Sequence, residues 1–336
     1  MSVDASEALL RWFAVDKRQL PWRSEAAGRR DPYRVWLAEV MLQQTTVAHA
    51  APYYARFTER WPTVEALAAA PEGEVMAAWA GLGYYARARN LIACARKVAD
   101  ELEGGLPDSE AELRKLPGLG RYTAAAVAAI AFGRRAVVVD SNVERVVARL
   151  HAVDTPLPAA REEIYGLADR LTPDERAGEF AEAMMDLGAT ICTPRNPDCG
   201  RCPLAGLCAA RATGEPASYP RKRPKAARPR RQGIAYWLEN DGHVLLIRRP
   251  SRGLLGGMLA LPTNEEGEPA TAHWVEAGWV EHVFTHFALD MRLLCGEAPS
   301  REAGGLWWPI ERLGEAGLPT LFARLAARGA EWRQAP

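Results

Sequence analysis

Four cysteines, Cys192, Cys199, Cys202 and Cys208, fall within seventeen residues at the spacing C-x6-C-x2-C-x5-C. Thiolates bunched in this way can share one metal centre, and four of them suit either zinc or an iron–sulfur cluster. Cys94 and Cys295 stand apart from them. The N-terminus, "MSVDASEALLRWF", has early acids and no small-residue cleavage site, so disulfides are the poorer reading. Arg195 and Arg201 in the same stretch would give such a centre a basic surface.

Two carboxylates have unusual neighbours. Glu39 lies in "VWLAEVMLQQ", where the residues three and four positions away are Val35, Trp36, Leu42 and Gln43. None can form a salt bridge with it. Loss of hydration should raise its pKa and let it hold a proton near neutral pH. A partly exposed helix residue is the plainer alternative. Asp140, in "VVVDSNVERVV", follows an apolar run and precedes a helix. It can be an ordinary N-cap, or a partly buried anion kept ionised by the helix dipole. One protonated and one ionised carboxyl group is the arrangement expected where a glycosidic bond is broken.

Between them lies "KLPGLGRYTAAA", with Leu-Pro-Gly-Leu-Gly at residues 116–120. Gly118 and Gly120 would let the chain turn at φ values that other residues resist. The helix that follows opens with unpaired N–H groups, a ready phosphate site. A simple tight connection between packed helices fits equally well.

The elements that must position these groups are helical up to about residue 210. "DPYRVWLAEVMLQQ" has Asp31 as N-cap and Pro32 at the first helical position. "TVEALAAA", "PEGEVMAAWAG" and "YYARARNLIACARKVADELEGG" carry caps and helical apolar spacing, and Ser109 with Glu112 has the capping-box interval. The Pro-, Arg- and Lys-rich stretch 214–232 reads as a linker, its basic run either solvated or touching nucleic acid. Beyond it "GIAYWLENDGHVLLIRR" predicts two strands about an Asn-Asp-Gly turn, and "PTLFARLAARGAEW" a closing helix. The formal net charge is zero, so clustering of the basic residues matters more than their total. No stretch approaches the ~20 apolar residues of a membrane span.

Hairpin, Asp140 and cysteine spacing together resemble the helix-hairpin-helix DNA glycosylases that carry a [4Fe-4S] cluster. "LAEVMLQQTTV", "LPWR" and "GLGYYARARNL" are similar to the adenine DNA glycosylase family within them. The resemblance implies a multidomain chain. An all-α helix-hairpin-helix glycosylase domain over 1–213 would include the hairpin 116–120 and the cluster loop 192–208. The basic linker 214–232 would follow, and then an α+β Nudix-like lesion-recognition domain over 233–336. The paired Glu265 and Glu266 lack the surroundings of a Nudix catalytic box, so no Nudix hydrolysis is expected there.

The resemblance also implies roles. Glu39 would be the general acid and Asp140 the catalytic carboxylate, with Tyr122 and Asn142 orienting Asp140 and the water. Gln44, Thr45, Leu82, Tyr84 and Arg87 would surround the lesion or wedge into the duplex. Gly118 and Gly120 would form the hairpin, and Phe284, Thr285 and His286 would probe the damaged base. Cys192, Cys199, Cys202 and Cys208 would hold the cluster. Ser141 and Thr285 stand where the family commonly has Gly and Ser. Strand-cleaving members place a lysine where this chain has Tyr122, so base removal without strand cleavage is expected.

The implied partner is double-stranded DNA bearing adenine opposite 8-oxoguanine. The chain would be a monomer of the cytoplasm or nucleoid, without membrane contact, whose linker segment can recruit other repair proteins. A strand-cleaving glycosylase for oxidised pyrimidines and a non-catalytic iron–sulfur damage sensor are the alternatives. Tyr122 and the extra domain disfavour the first, and the pair Glu39 and Asp140 disfavours the second.

Overall fold

The computed structural model describes residues 2–23, 30–223, 228–250, 253–269, 273–302 and 304–333. In chain order the helices are α1 (Ser2–Asp16), α2 (Pro32–Leu42), α3 (Val47–Arg60), α4 (Val64–Ala69), α5 (Glu72–Trp79) and α6 (Ala86–Glu101). They continue with α7 (Glu110–Leu113), α8 (Arg121–Phe132), α9 (Ser141–Leu150), α10 (Arg161–Leu171), α11 (Ala177–Thr190) and α12 (Ala209–Ala212). Strands β1 (Arg230–Asn240), β2 (His243–Arg248), β3 (Leu259–Ala260), β4 (Val275–Val283), β5 (Ala288–Glu297) and β6 (Leu306–Pro309) follow, then α13 (Thr320–Arg333). The chain forms two compact units, Met1–Ala68 with Ala93–Lys225, and Ala69–Ile92 with Ala226–Pro336.

In the first unit the predicted caps Asp31 and Ser109 start their helices, and Thr46, which the sequence did not single out, starts another. Asp31 accepts the Tyr33 and Arg34 N–H groups to start α2, and Thr46 accepts the His49 N–H to start α3. Ser109 accepts the Glu112 N–H, while the Glu112 carboxylate turns to Lys115 instead of back to the cap. The centre of the unit is α8, which packs against both α2 and α11. Its residues Ala124–Ala129 are all buried, and their small side chains allow the neighbouring helices to come close. Helix α11 uses glycine for the same purpose. A Cβ at Gly178 would stand 2.3 Å from the Ala129 carbonyl oxygen of α8, and one at Gly188 would stand 2.6 Å from the Asn142 Cβ at the start of α9. Only a helix without side chains at those two points can lie against both neighbours.

In the second unit the strand order is β3-β2-β1-β5-β4, with β6 added to β2. β1 and β5 run parallel and the other pairs antiparallel. Asp241 and Gly242 join β1 to β2 with positive φ values of 46° and 70°, as a tight hairpin turn of matching twist requires. α13 covers β1, β4 and β5, and a Cβ on its Gly329 would be 2.3 Å from the Trp237 ring.

The ends of the basic segment 214–232 are fixed where they are described; 224–227 lie outside the described residues. Tyr219 is buried, and the Leu157 N–H donates to the Arg221 carbonyl. β1 begins at Arg230 because its parallel register with β5 continues to Ala288. Arg230 pairs with Asp290 at 2.7 Å, and the Arg231 guanidinium lies 4.4 Å above the Phe287 ring. The carboxylates of Glu265 and Glu266 are already engaged, the first with Arg249 at 2.5 Å and the second with the Thr263 hydroxyl at 2.5 Å.

Candidate active site

A cavity of about 520 Å³ opens in the first unit between the ends of α2, α8 and α9 and one face of α11. Glu39 lines it from the last turn of α2 and is 5 % exposed. Burial pushes its carboxyl up to about 7, assisted by the charges of Asp140 and Glu182 and opposed by the Tyr122 hydrogen bond and by Arg23. The Tyr122 hydroxyl donates to Glu39 Oε2 at 2.6 Å and lies 3.5 Å from Met185 Sδ. Burial and the neighbouring Glu39 hold that phenol well above its usual range, so it remains a donor. With Oε2 accepting from tyrosine, Oε1 is left to carry a proton. Tyr122 therefore serves Glu39. The resemblance implies a role beside Asp140, which lines the same cavity and whose charge also acts on the phenol; the hydrogen bond itself goes to Glu39 because α8 starts against the last turn of α2.

Asp140 caps α9. Its Oδ1 accepts the N–H groups of Asn142 at 2.9 Å and Val143 at 2.7 Å, and its Oδ2 accepts Asn142 Nδ2 at 2.8 Å. The N-cap reading and the buried-anion reading thus describe one residue, and both oxygens face donors only. Asn142 is held in turn by Arg145, which donates to Asn142 Oδ1 at 2.9 Å, to the Gly188 carbonyl at 2.6 Å and to the Cys192 carbonyl at 2.8 Å. The aim of the carboxylate therefore depends on how closely α11 approaches α9. Gly188→Ala should push Asn142 aside, costing about 1–3 kcal/mol of stability and on the order of 10²-fold in single-turnover rate. Thermal melts beside rapid-quench kinetics measure both effects.

Sequence reasoning did not assign Arg18, Arg23 and Glu182, which line the cavity, or Asp186 buried behind them. Asp186, fully buried, accepts both nitrogens of the Arg23 fork at 2.7 and 2.9 Å and Arg18 Nε at 2.6 Å. Glu182 accepts Arg23 Nε at 2.9 Å and Arg30 at 3.2 Å. Burial pushes Asp186 up, but the hydrogen bonds and charges of Arg23 and Arg18 outweigh it and hold the carboxyl below its usual range. In Glu182 burial prevails and the carboxyl rises. Two acids four residues apart in the apolar "FAEAMMDLGA" gave the same signal that singled out Glu39.

The four cysteines surround one small cavity together with Arg149. Among the described residues no group of three or more His, Cys, Asp or Glu side chains converges tightly enough for a single metal ion. Four cysteine side chains lining one small cavity are the donor set an iron–sulfur cluster takes. Burial, and after it the neighbouring cysteines, push the Cys202 thiol up to about 11, as expected of thiols that await a metal's charge. Arg149, 1 % exposed, donates to Cys192 Sγ at 3.3 Å and to the carbonyls of Cys192, Thr193, Pro194 and Tyr219. One buried cation so fixes the loop and faces its sulfurs.

At the hairpin, Gly118 has φ 78°, which its lack of a Cβ permits. Gly120 does not fit the expectation. Its φ of −79° is open to any residue, and a Cβ there would meet nothing within 4 Å. What distinguishes Gly120 is its position as the N-cap of α8 without a side-chain cap, which leaves the first N–H groups of that helix facing outward.

Gln44 and Thr45 line the 520 Å³ cavity, and Gln44 takes a positive φ of 58°. Lys115 bonds Glu112 and, among the described residues, none lining the cavity is a lysine.

In the second unit, Tyr84, Arg87, Phe284 and Thr285 line a cavity of about 480 Å³. Tyr84 is 48 % exposed with φ 50°, and its hydroxyl is 3.0 Å from Thr285 Oγ1. Strained backbone at exposed residues of this kind is common where a ligand is gripped. His286 is exposed but outside the lining. Two expectations need correcting. Leu82 is buried, so it presents no wedge, and Arg87 is buried beneath the 82–84 turn. Arg87 donates to the Leu82 and Gly83 carbonyls and stacks against Trp79 and Tyr84. Its work is to support Tyr84, and burial pushes the guanidinium down to about 10.

Comparison with known proteins shows the following similarities. Residues 37–168 match the HhH-GPD superfamily base excision DNA repair proteins, 192–208 the iron–sulfur binding domain of endonuclease III, and 233–328 the NUDIX domain. The adenine DNA glycosylase of Homo sapiens is 35 % identical over 95 % of this chain and 72 % of its own. That of Mycolicibacterium smegmatis is 42 % identical over 65 % of this chain and 72 % of its own. Among solved structures, a thermostable thymine-DNA glycosylase covers 63 % of this chain and 97 % of its own at TM-score 0.57 and 30 % identity. A non-covalent endonuclease III–DNA complex covers 62 % of this chain and 94 % of its own at TM-score 0.52 and 28 % identity.

Proposed function

Because the chain belongs to the adenine DNA glycosylases, we propose that it hydrolyses the N-glycosidic bond of adenine opposite 8-oxoguanine in duplex DNA, without cutting the strand. Residues 1–213 carry excision in this reading, 233–336 read the opposite base, and 214–232 connect them. The observation that carries it is the pair of unlike carboxyl groups in one cavity, Glu39 raised to about 7 and Asp140 held by three N–H donors. A cavity of 520 Å³ is large enough for an extrahelical nucleotide.

Glu39 delivers the proton on Oε1 to adenine N7, and the C1′–N9 electron pair leaves with the base. The sugar becomes oxocarbenium-like, and the carboxylate of Asp140 stabilises that charge. Water adds to C1′, its lost proton returns to Glu39, and adenine and an abasic sugar are the products. Tyr122 fixes Glu39, and Asn142 fixes Asp140. Arg23 and Glu182 form a rigid polar side of the cavity, their own atoms paired with each other, Asp186 and Arg30. Cys192, Cys199, Cys202 and Cys208 hold a [4Fe-4S] cluster, which when bound cross-links the 192–208 loop and takes no part in hydrolysis. Tyr84 and Thr285 face the 8-oxoguanine side, and the open N–H groups after Gly120 take a phosphate.

The test is single-turnover cleavage of a labelled duplex with adenine opposite 8-oxoguanine, each sample split with and without hot alkali. Breaks only after alkali are expected, since the cavity offers no lysine amine. Breaks without alkali would return the chain to the strand-cleaving branch, and DNA binding without product would make it a damage sensor.

A further inference from the structure

Helix α3 starts at the mouth of the catalytic cavity, since Val47, its first residue, lines that cavity beside Gln44 and Thr45. Ala50, Tyr54 and Phe57 turn inward and are buried. The flank beside that buried face carries His49, Tyr53, Arg56 and Arg60 at helical spacing, one above the other. The His49 and Tyr53 rings are 5.6 Å apart, the Arg56 guanidinium lies 4.5 Å above Tyr53, and that of Arg60 lies 4.8 Å above Trp61. Ala48, Pro52 and Ala55, on the outer side next to this ladder, are small and exposed. The helix carries two arginines against one acid, Glu59.

We propose that this face of α3 is a track for the DNA flanking the extrahelical adenine, His49 and Tyr53 lying against sugars and bases and Arg56 and Arg60 neutralising phosphates. The proposal rests on the function proposed above. Two physical features select DNA as the occupant. The face is continuous with the cavity that takes the nucleotide, and its two rings followed by two guanidinium groups offer apolar contact near the cavity and positive charge beyond it, which suits a sugar–phosphate backbone. Fourteen residues extend about 21 Å, or roughly six base-pair steps, from the cavity. The rings already stacked by their neighbours lose little freedom when DNA arrives.

The experiment measures equilibrium binding of cluster-loaded Asp140→Asn protein to a duplex with a central adenine opposite 8-oxoguanine, across a range of KCl concentrations. Adding Arg56→Ala and Arg60→Ala should make the slope of log K against log salt shallower by about 1.8, roughly 0.9 per phosphate released. Arg56→Lys with Arg60→Lys should restore the slope. His49→Ala with Tyr53→Ala should weaken binding roughly fivefold or more at every salt concentration while leaving the slope unchanged. Trimming the duplex to two base pairs on one side of the adenine should abolish the arginine effect, and trimming the other side should not. Parallel salt lines for the arginine pair, or an arginine effect that survives both trims, would overturn the track. Adenine release by the unsubstituted protein is measured in the same buffer. Its absence would sink the proposed function, whereas release together with parallel salt lines would sink the track alone.

Discussion

Asp140→Asn is expected to bind the mispaired duplex as the unsubstituted protein does and to lose at least ~10³-fold in adenine release. The exchange suits a sharp test because asparagine is itself a favoured N-cap. Its Oδ1 can go on accepting the Asn142 and Val143 N–H groups, so α9 keeps its start. What changes is the second oxygen. An amide NH₂ there faces Asn142 Nδ2, which now donates to Asp140 Oδ2 at 2.8 Å, and donor meets donor. The negative charge that balances the sugar cation goes as well. Melting temperature and duplex affinity should therefore hardly move while the single-turnover rate collapses. A near-normal rate would remove Asp140 from the mechanism.

Glu39→Gln is expected to do two things at once, slow adenine release by roughly 10²–10⁴-fold and make the protein more stable at neutral pH. The second effect follows from the raised carboxyl. In the unfolded chain the group ionises near its ordinary 4.5, whereas in the fold it keeps its proton until about 7. Between those values the folded state binds more protons than the unfolded one, so stability falls as pH rises through that window. The loss approaches roughly 3 kcal/mol above pH 7, for a difference of about 2.5 pH units. Glutamine is neutral throughout and can still accept the Tyr122 hydroxyl. Denaturant melts should show the variant equal to the parent near pH 4 and more stable at pH 8. Parallel stability curves would show that Glu39 is not held protonated. In the unsubstituted enzyme the single-turnover rate should drop about tenfold per pH unit above about 7, as the acid loses its proton.

The sequence made both carboxylates visible because each broke a local rule. Glu39 had no possible partner within a helical turn, and Asp140 followed an apolar run into a helix. Local rules also located Asp31, Ser109 and the Asp241–Gly242 turn, all confirmed where the backbone needs them. Asp186 and Glu182 carried the same local signal as Glu39, but the arginines that fix them, Arg18 and Arg23, lie more than 150 residues away in the chain and only the fold brings them together. Burial escaped the sequence as well. Leu82 and Arg87 stand near an exposed tyrosine in the sequence, and only the packed turn reveals that both are buried and that Arg87 stacks against that tyrosine. The role of Tyr122 depended on which of two acids α8 would meet first, a question of helix packing with no trace in spacing.

Arg23 divides its fork between Asp186 and Glu182, so these three positions form one electrical unit. Neutralising either acid alone leaves part of a buried guanidinium uncompensated, a defect that typically costs several kcal/mol. Losing the arginine leaves Asp186 to Arg18 alone and Glu182 to Arg30 alone. Such a trio changes poorly by single steps. A lineage can discard the whole set for an apolar wall, or keep all of it, but each intermediate is less fit than either end. The wall of the cavity is thus inherited as a block, and positions 23, 182 and 186 should vary together or not at all.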